Sequence, residues 1–71
     1  MDIVKVFGTN LRKYRNNMQM TQENLANACG LHRNYISDIE CFRRSISLEN
    51  IQKIADALKI DTYKLFIEEE S

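Results

Sequence analysis

Seventy-one residues allow one compact domain, and a core of that size rarely supplies more than about 3–5 kcal/mol without a staple or a partner subunit. No Pro, only two Gly and a preponderance of Leu, Ile, Ala, Lys, Arg, Glu, Asn and Gln point to short helices joined by tight turns, hence to an all-α fold. Ten Lys and Arg balance ten Asp and Glu, which excludes a uniformly basic surface, and no apolar run approaches a membrane span. Met1–Phe7 carries Asp2 and Lys5, unlike a signal peptide, so a cytoplasmic protein is expected. Cys29 and Cys41 lack CxxC spacing and have only His32 as a conceivable third ligand; they read as partly buried free thiols, with no metal and no cofactor.

Ile3, Val4, Phe7, Leu11, Tyr14 and Met18 recur at spacings of three and four, which predicts an amphipathic first helix to about residue 16. Asn16-Asn17 suit a turn, and Thr21 caps a second helix over Gln22–Cys29. Asn24 stands where a full capping box would place Glu or Gln, so only a partial cap is expected. Gly30 supplies the left-handed residue that ends this helix, and Leu31 turns inward. His32-Arg33-Asn34 opens a short third helix ending near Glu40, with Tyr35, Ile36 and Ile39 among polar neighbours. Cys41–Ser45 reads as a loop. Ser47 caps a fourth helix whose stripe is Leu48, Ile51, Ile54, Ala55 and Leu58, and a fifth begins at Asp61 or Thr62 with Leu65, Phe66 and Ile67. Residues 68–71 read as a frayed acidic tail.

Charge is distributed unevenly. Residues 1–44 hold seven Lys or Arg against four acids, a net +3, whereas residues 45–71 hold three Lys against six acids, a net −3. A basic N-terminal face and an acidic C-terminal end orient a protein toward a phosphate backbone without coating it in positive charge.

Two short helices around a Gly-containing turn, within Thr21–Glu40, have the spacing of a helix-turn-helix. TQENLA, GLHRNYISDIE, a short basic loop and SLENIQKIADAL resemble the helix-turn-helix class of phage repressors and, more fully, the controller proteins of restriction–modification systems, from about Phe7 to Phe66. The sequence departs from the controller pattern at His32, usually an acid, and at Cys41-Phe42, usually a basic residue or Asn followed by Gly. The resemblance implies a compact five-helix, lambda-repressor-like domain whose second and third helices form the DNA-binding unit.

The third helix must present long polar donors at its first turn and apolar residues behind. Arg33 suits guanine O6 and N7, Asn34 suits adenine or a phosphate, and Ser37 lies one turn further along the same face; these are the expected base contacts. Gln22, at the start of the second helix, suits a phosphate, as in the resembling repressors. Arg43 and Arg44 either meet phosphate or the minor groove, with Ser45 assisting, or form a solubilising pair, and Arg12 meets either the flanking backbone or solvent. Tyr35 either packs beside Leu31 or turns its hydroxyl to the DNA backbone, and His32 either caps a helix or meets phosphate when protonated. In the resembling repressors the positions of Arg15 and Glu40 form a partly buried structural ion pair.

One helix in one groove contacts too few base pairs for specificity, so a two-fold dimer reading inverted half-sites is expected. Ile60, Leu65, Phe66 and Ile67 exceed what one helix of so small a core buries, which places the dimer surface within about residues 48–67. The resemblance implies an operator taking up to two dimers, with activation then repression of the protein's own gene and an endonuclease gene; Glu23 is either a contact for RNA polymerase or simply a helix N-terminal charge. Competing readings are a phage or plasmid repressor or an antitoxin of the same fold, and an adaptor whose basic face binds an acidic protein. An enzyme is not expected, since the sequence holds no acid–base pair, ligand cluster or Gly-rich phosphate loop.

Overall fold

A computed structural model describes residues 1–68. Four α-helices follow one another, α1 (Ile3–Asn17), α2 (Gln22–Cys29), α3 (Arg33–Glu40) and α4 (Leu48–Leu58), and the chain then closes with a 3₁₀ turn, Thr62–Phe66. The expected fifth helix is therefore a single five-residue turn. Asn10 of α1 explains why it stops: its side-chain amide donates to the carbonyls of Leu65 (3.0 Å) and Ile67 (2.9 Å), groups that a longer helix would have bonded internally.

Helix starts follow the expected chemistry with two differences. Asp2 caps α1 by accepting from the backbone N–H of Val4 and Lys5, and Ser47 caps α4 by accepting from Asn50. At α2 the cap is complete, because Thr21 Oγ1 accepts from the Asn24 backbone while Asn24 Oδ1 accepts from the Thr21 backbone. Asn thus performs the return half of the box expected of Glu or Gln. His32 stands at the N-cap position of α3, but its side chain makes no capping hydrogen bond.

Helix ends share one device. Gln19, Gly30, Phe42 and Lys59 all take left-handed backbone angles, with φ of 57°, 72°, 64° and 58°. Each is followed by an N–H that reaches back five residues: Met20 to Arg15, Leu31 to Ala26, Arg43 to Asp38 and Ile60 to Ala55. These are Schellman endings, which satisfy carbonyls the helix leaves open. Only one of the four uses glycine.

α3 packs against α1 and α2, α2 against α4, and the 3₁₀ turn seals the bundle by resting on α1 and α4. Leu11, Leu25, Ile36, Ile39, Ile54, Leu58 and Leu65 are the largest fully buried side chains. Burial of each contributes about 1.5–3 kcal/mol relative to exposure. Leu48, expected in the core stripe, is 84% exposed, since it occupies the first helical position of α4, ahead of the buried Ile51. Ile3 and Met18 at the two ends of the α1 stripe are also exposed. Among the described residues no helix is long and apolar enough to cross a membrane. Of the expected acidic tail, Glu68 is exposed and residues 69–71 lie outside the described residues.

Candidate nucleic-acid interface

The amphipathic character of α3 decides which side chains face outward. Ile36 and Ile39 are buried against α1 and α2, so the opposite side of the first turn is left to Arg33 and Asn34, both exposed, with Ser37 half-buried one turn on. His32 at the cap is exposed beside them. A shallow groove lined by His32, Arg33, Asn34, Tyr35, Asp38 and Arg44 runs along this face. Arg33, Asn34 and one of the two loop arginines therefore share one side of the molecule, with Ser37 one turn further along α3.

Tyr35 takes the packing role of the two alternatives, and its hydroxyl faces Asn50. Its ring is half-buried against the core margin, and the Arg44 guanidinium lies 5.0 Å above the ring centroid. Its hydroxyl accepts a hydrogen bond of 3.0 Å from the Asn50 side-chain amide on α4. The phenolic proton remains free to donate, and a phosphate oxygen is the acceptor a duplex would offer. Asn50 did not emerge from the sequence, because it lies fifteen positions from Tyr35 and no local spacing marks the pair.

Arg43 and Arg44 are exposed and approach the two carboxylate oxygens of Asp38 at 3.9 Å each. Such long, solvated contacts are worth at most about 1 kcal/mol and are exchangeable for phosphate. Ser45 is exposed beside them, and Arg12 is exposed on α1. Gln22 is half-buried at the first position of α2, with its amide donating to Glu40 Oε1 at 3.2 Å. Its backbone N–H is one of the open donors at the N-terminus of α2, where the helix dipole favours an anion. Glu23 is exposed next to it.

Behind the interface, Arg15 and Glu40 form a buried fork. Arg15 Nε donates to Glu40 Oε2 at 2.6 Å and an η nitrogen donates to Oε1 at 2.9 Å, while the other η nitrogen donates to the Met20 carbonyl at 2.8 Å. The hydrogen bond to Glu40 raises the guanidinium pKa against the opposing effect of burial, so the cation persists across the accessible pH range. This pair fixes the end of α3 to α1 and to the turn preceding α2, and makes no direct use of the outer surface.

The cysteines differ from the expectation of two partly buried thiols: Cys29 is buried and Cys41 exposed. Burial pushes the Cys29 thiol above its ordinary pKa. Of the four residues expected at a dimer surface, Leu65 is fully buried in the chain's own core and cannot serve there. Phe66 is half-buried with its ring 5.3 Å from that of Phe7, Ile60 is half-buried, and Ile67 is 49% exposed. Tyr63, which the sequence did not single out, is 60% exposed on the same turn.

Comparison with known proteins places this geometry. A helix-turn-helix family model matches residues 11–65. A hypothetical transcription factor of Neisseria meningitidis is 42% identical over 66 residues, covering 93% of this chain and 62% of the relative, so the chain spans less than two thirds of that protein's length. The control protein C.BamHI of Bacillus amyloliquefaciens is 50% identical over 56 residues, covering 78% of this chain and 69% of the relative. The crystal structure of the restriction–modification controller protein C.AhdI from Aeromonas hydrophila superposes with a TM-score of 0.86 at 41% identity, covering 89% of this chain and 96% of that one. The chain belongs to the helix-turn-helix family of DNA-binding transcriptional regulators, on the branch that includes the controller proteins of restriction–modification systems.

Proposed function

We propose that the protein acts in the cytoplasm as a two-fold dimer that binds an inverted-repeat operator, one α3 in each of two successive major grooves. The observation that carries this reading is the exposed face of Arg33 and Asn34, with half-buried Ser37 one turn further along α3 and Arg44 over Tyr35 at its edge. In this reading Arg33, Asn34 and Ser37 read bases. Gln22, Tyr35, Arg43, Arg44, Ser45 and Arg12 hold the phosphates on either side. The dimer surface is drawn from Ile60, Tyr63, Phe66 and Ile67, on the acidic end of the chain and so kept off the DNA.

The kinship with controller proteins supports autoregulation: dimers bind upstream of the protein's own gene and a neighbouring endonuclease gene, activating at low occupancy and repressing when a second dimer loads. Glu23, exposed at the start of α2, is the surface offered to RNA polymerase. Selection of duplexes from a random-sequence pool tests the reading. It predicts enrichment of a two-fold symmetric sequence whose half-sites are centred about 10 bp, one helical turn, apart. Enrichment of nothing, or of sequences without symmetry, contradicts it.

A further inference from the structure

Phe42 occupies a backbone conformation that favours glycine. Its φ of 64° is left-handed, a region where a side chain crowds the following carbonyl and which bulky residues rarely enter. The residue nevertheless closes α3 in a regular Schellman ending, with its own N–H donating to the Ile39 carbonyl at 3.1 Å and the next N–H, from Arg43, donating to Asp38 at 2.9 Å. Turn geometry alone is served as well or better by glycine, so the aromatic ring requires a different explanation.

The ring has a seat. Gly8, in the middle of α1, is buried, and a Cβ built there would fall 2.9 Å and 3.0 Å from Phe42 Cδ1 and Cε1 and 2.4 Å from the Ile39 carbonyl oxygen. A helix interior ordinarily disfavours glycine; here the missing side chain lets the end of α3 and the Phe42 ring lie directly on the α1 backbone. The Cδ1–Cε1 edge of the ring is spent on that contact and 42% of the residue stays exposed. The next two residues are the loop arginines, whose guanidinium groups meet Asp38 and, for Arg44, the Tyr35 ring. The basic loop is thus tied to α3 by its hydrogen bonds, is seated on the α1 backbone through the Phe42 ring, and is anchored at its far end by Ile46 against the core.

We propose that Phe42, seated on Gly8, is a positioning residue that holds Arg43, Arg44 and Ser45 in their DNA-facing arrangement before DNA arrives. The proposal rests on the DNA-binding reading of that loop. Without the ring, the left-handed turn persists but the loop is released from α1, and ordering it becomes a cost of association.

Phe42→Gly separates the two roles, since glycine keeps the turn and removes the latch, and Phe42→Tyr restores the ring with its hydroxyl free to reach solvent. All three proteins are compared at a temperature where circular dichroism shows each fully folded. Backbone ¹⁵N order parameters for Arg43, Arg44 and Ser45 in the free protein are expected near the rigid value of about 0.85 in wild type and Phe42→Tyr, and below about 0.6 in Phe42→Gly. On the duplex enriched by wild type from a random pool, Phe42→Gly is expected to bind about tenfold more weakly, the cost of ordering a few side chains, and Phe42→Tyr to bind as wild type does. Rigid loop amides in Phe42→Gly, or binding equal to wild type, overturn the latch. Should wild type enrich no duplex, the DNA-binding reading fails, while the order parameters alone still confirm or refute the seating of the loop.

Discussion

Arg15 and Glu40 are joined by two parallel hydrogen bonds, 2.6 Å and 2.9 Å long, inside the angle between the first helix and the end of the third. Both residues are buried, at 9% and 6% exposure, so their charges are compensated almost entirely by each other, by the Met20 carbonyl and by Gln22. Removing one partner leaves a buried charge without its counter-ion, whereas removing both removes the problem along with the bond. Arg15→Met or Glu40→Leu alone is expected to cost about 3–5 kcal/mol in urea denaturation, and the double variant less than either single change. Additive losses would show that the two residues act independently.

The surface on which a second copy would dock is separable from the core beside it. Leu65 and Ile67 are two positions apart, yet one is fully buried and the other half exposed. Leu65→Ala should destabilise the fold by about 2–5 kcal/mol. Ile67→Asp should leave the folded chain within about 0.5 kcal/mol of wild type and shift its sedimentation from dimer to monomer. Dimers that survive both Ile67→Asp and Tyr63→Asp would place the interface elsewhere.

In the proposed function the loop arginines contribute charge without sequence information. Replacing Arg43 or Arg44 by Ala is expected to weaken binding to all duplexes to a similar degree and to reduce the slope of log affinity against log salt by about 0.9 for each phosphate no longer neutralised. Fluorescence anisotropy over a salt series measures this directly. An unchanged slope would mean that the substituted arginine does not meet phosphate.

The two thiols differ in access. Iodoacetamide at pH 8 is expected to modify Cys41 in the native protein and both cysteines after denaturation, as read by peptide mass. Burial raises the folded-state pKa of Cys29 above its ordinary 9.0, so the neutral thiol favours folding. That contribution is complete below the unfolded value and is lost as pH rises through the folded one. Stability should therefore fall at alkaline pH in wild type, and by less in Cys29→Ala.

What the sequence discloses and what it hides have physical causes here. α2 was legible at both ends because Thr21 and Gly30 carry the chemistry of a start and a stop in their side chains. The ends of α1, α3 and α4 use the same left-handed stop at Gln19, Phe42 and Lys59, residues whose composition gives no such signal. Apolar periodicity identified Ile36, Ile39, Ile51 and Ile54 as core, since an α-helix repeats every 3.6 residues. It did not separate buried Leu65 from exposed Ile67, because there a 3₁₀ turn repeats every 3.0 residues and then gives way to extended chain. Arg33, Asn34 and half-buried Ser37 could be grouped from the sequence because they lie on one helix. Asn50 against Tyr35 and Phe42 against Gly8 could not, because each pair meets only when separate helices pack.

Base reading by the first turn of α3 is the step on which the proposed function depends, and it is tested most sharply at Arg33. Wild type and Arg33→Ala are titrated with the selected duplex and with a scrambled duplex of the same composition at one salt concentration. Loss of about 1–3 kcal/mol on the selected duplex, with little change on the scrambled one, is the expected result for a residue that reads a base edge. Equal losses on both duplexes would show that Arg33 contributes charge alone and would rule out its reading a base.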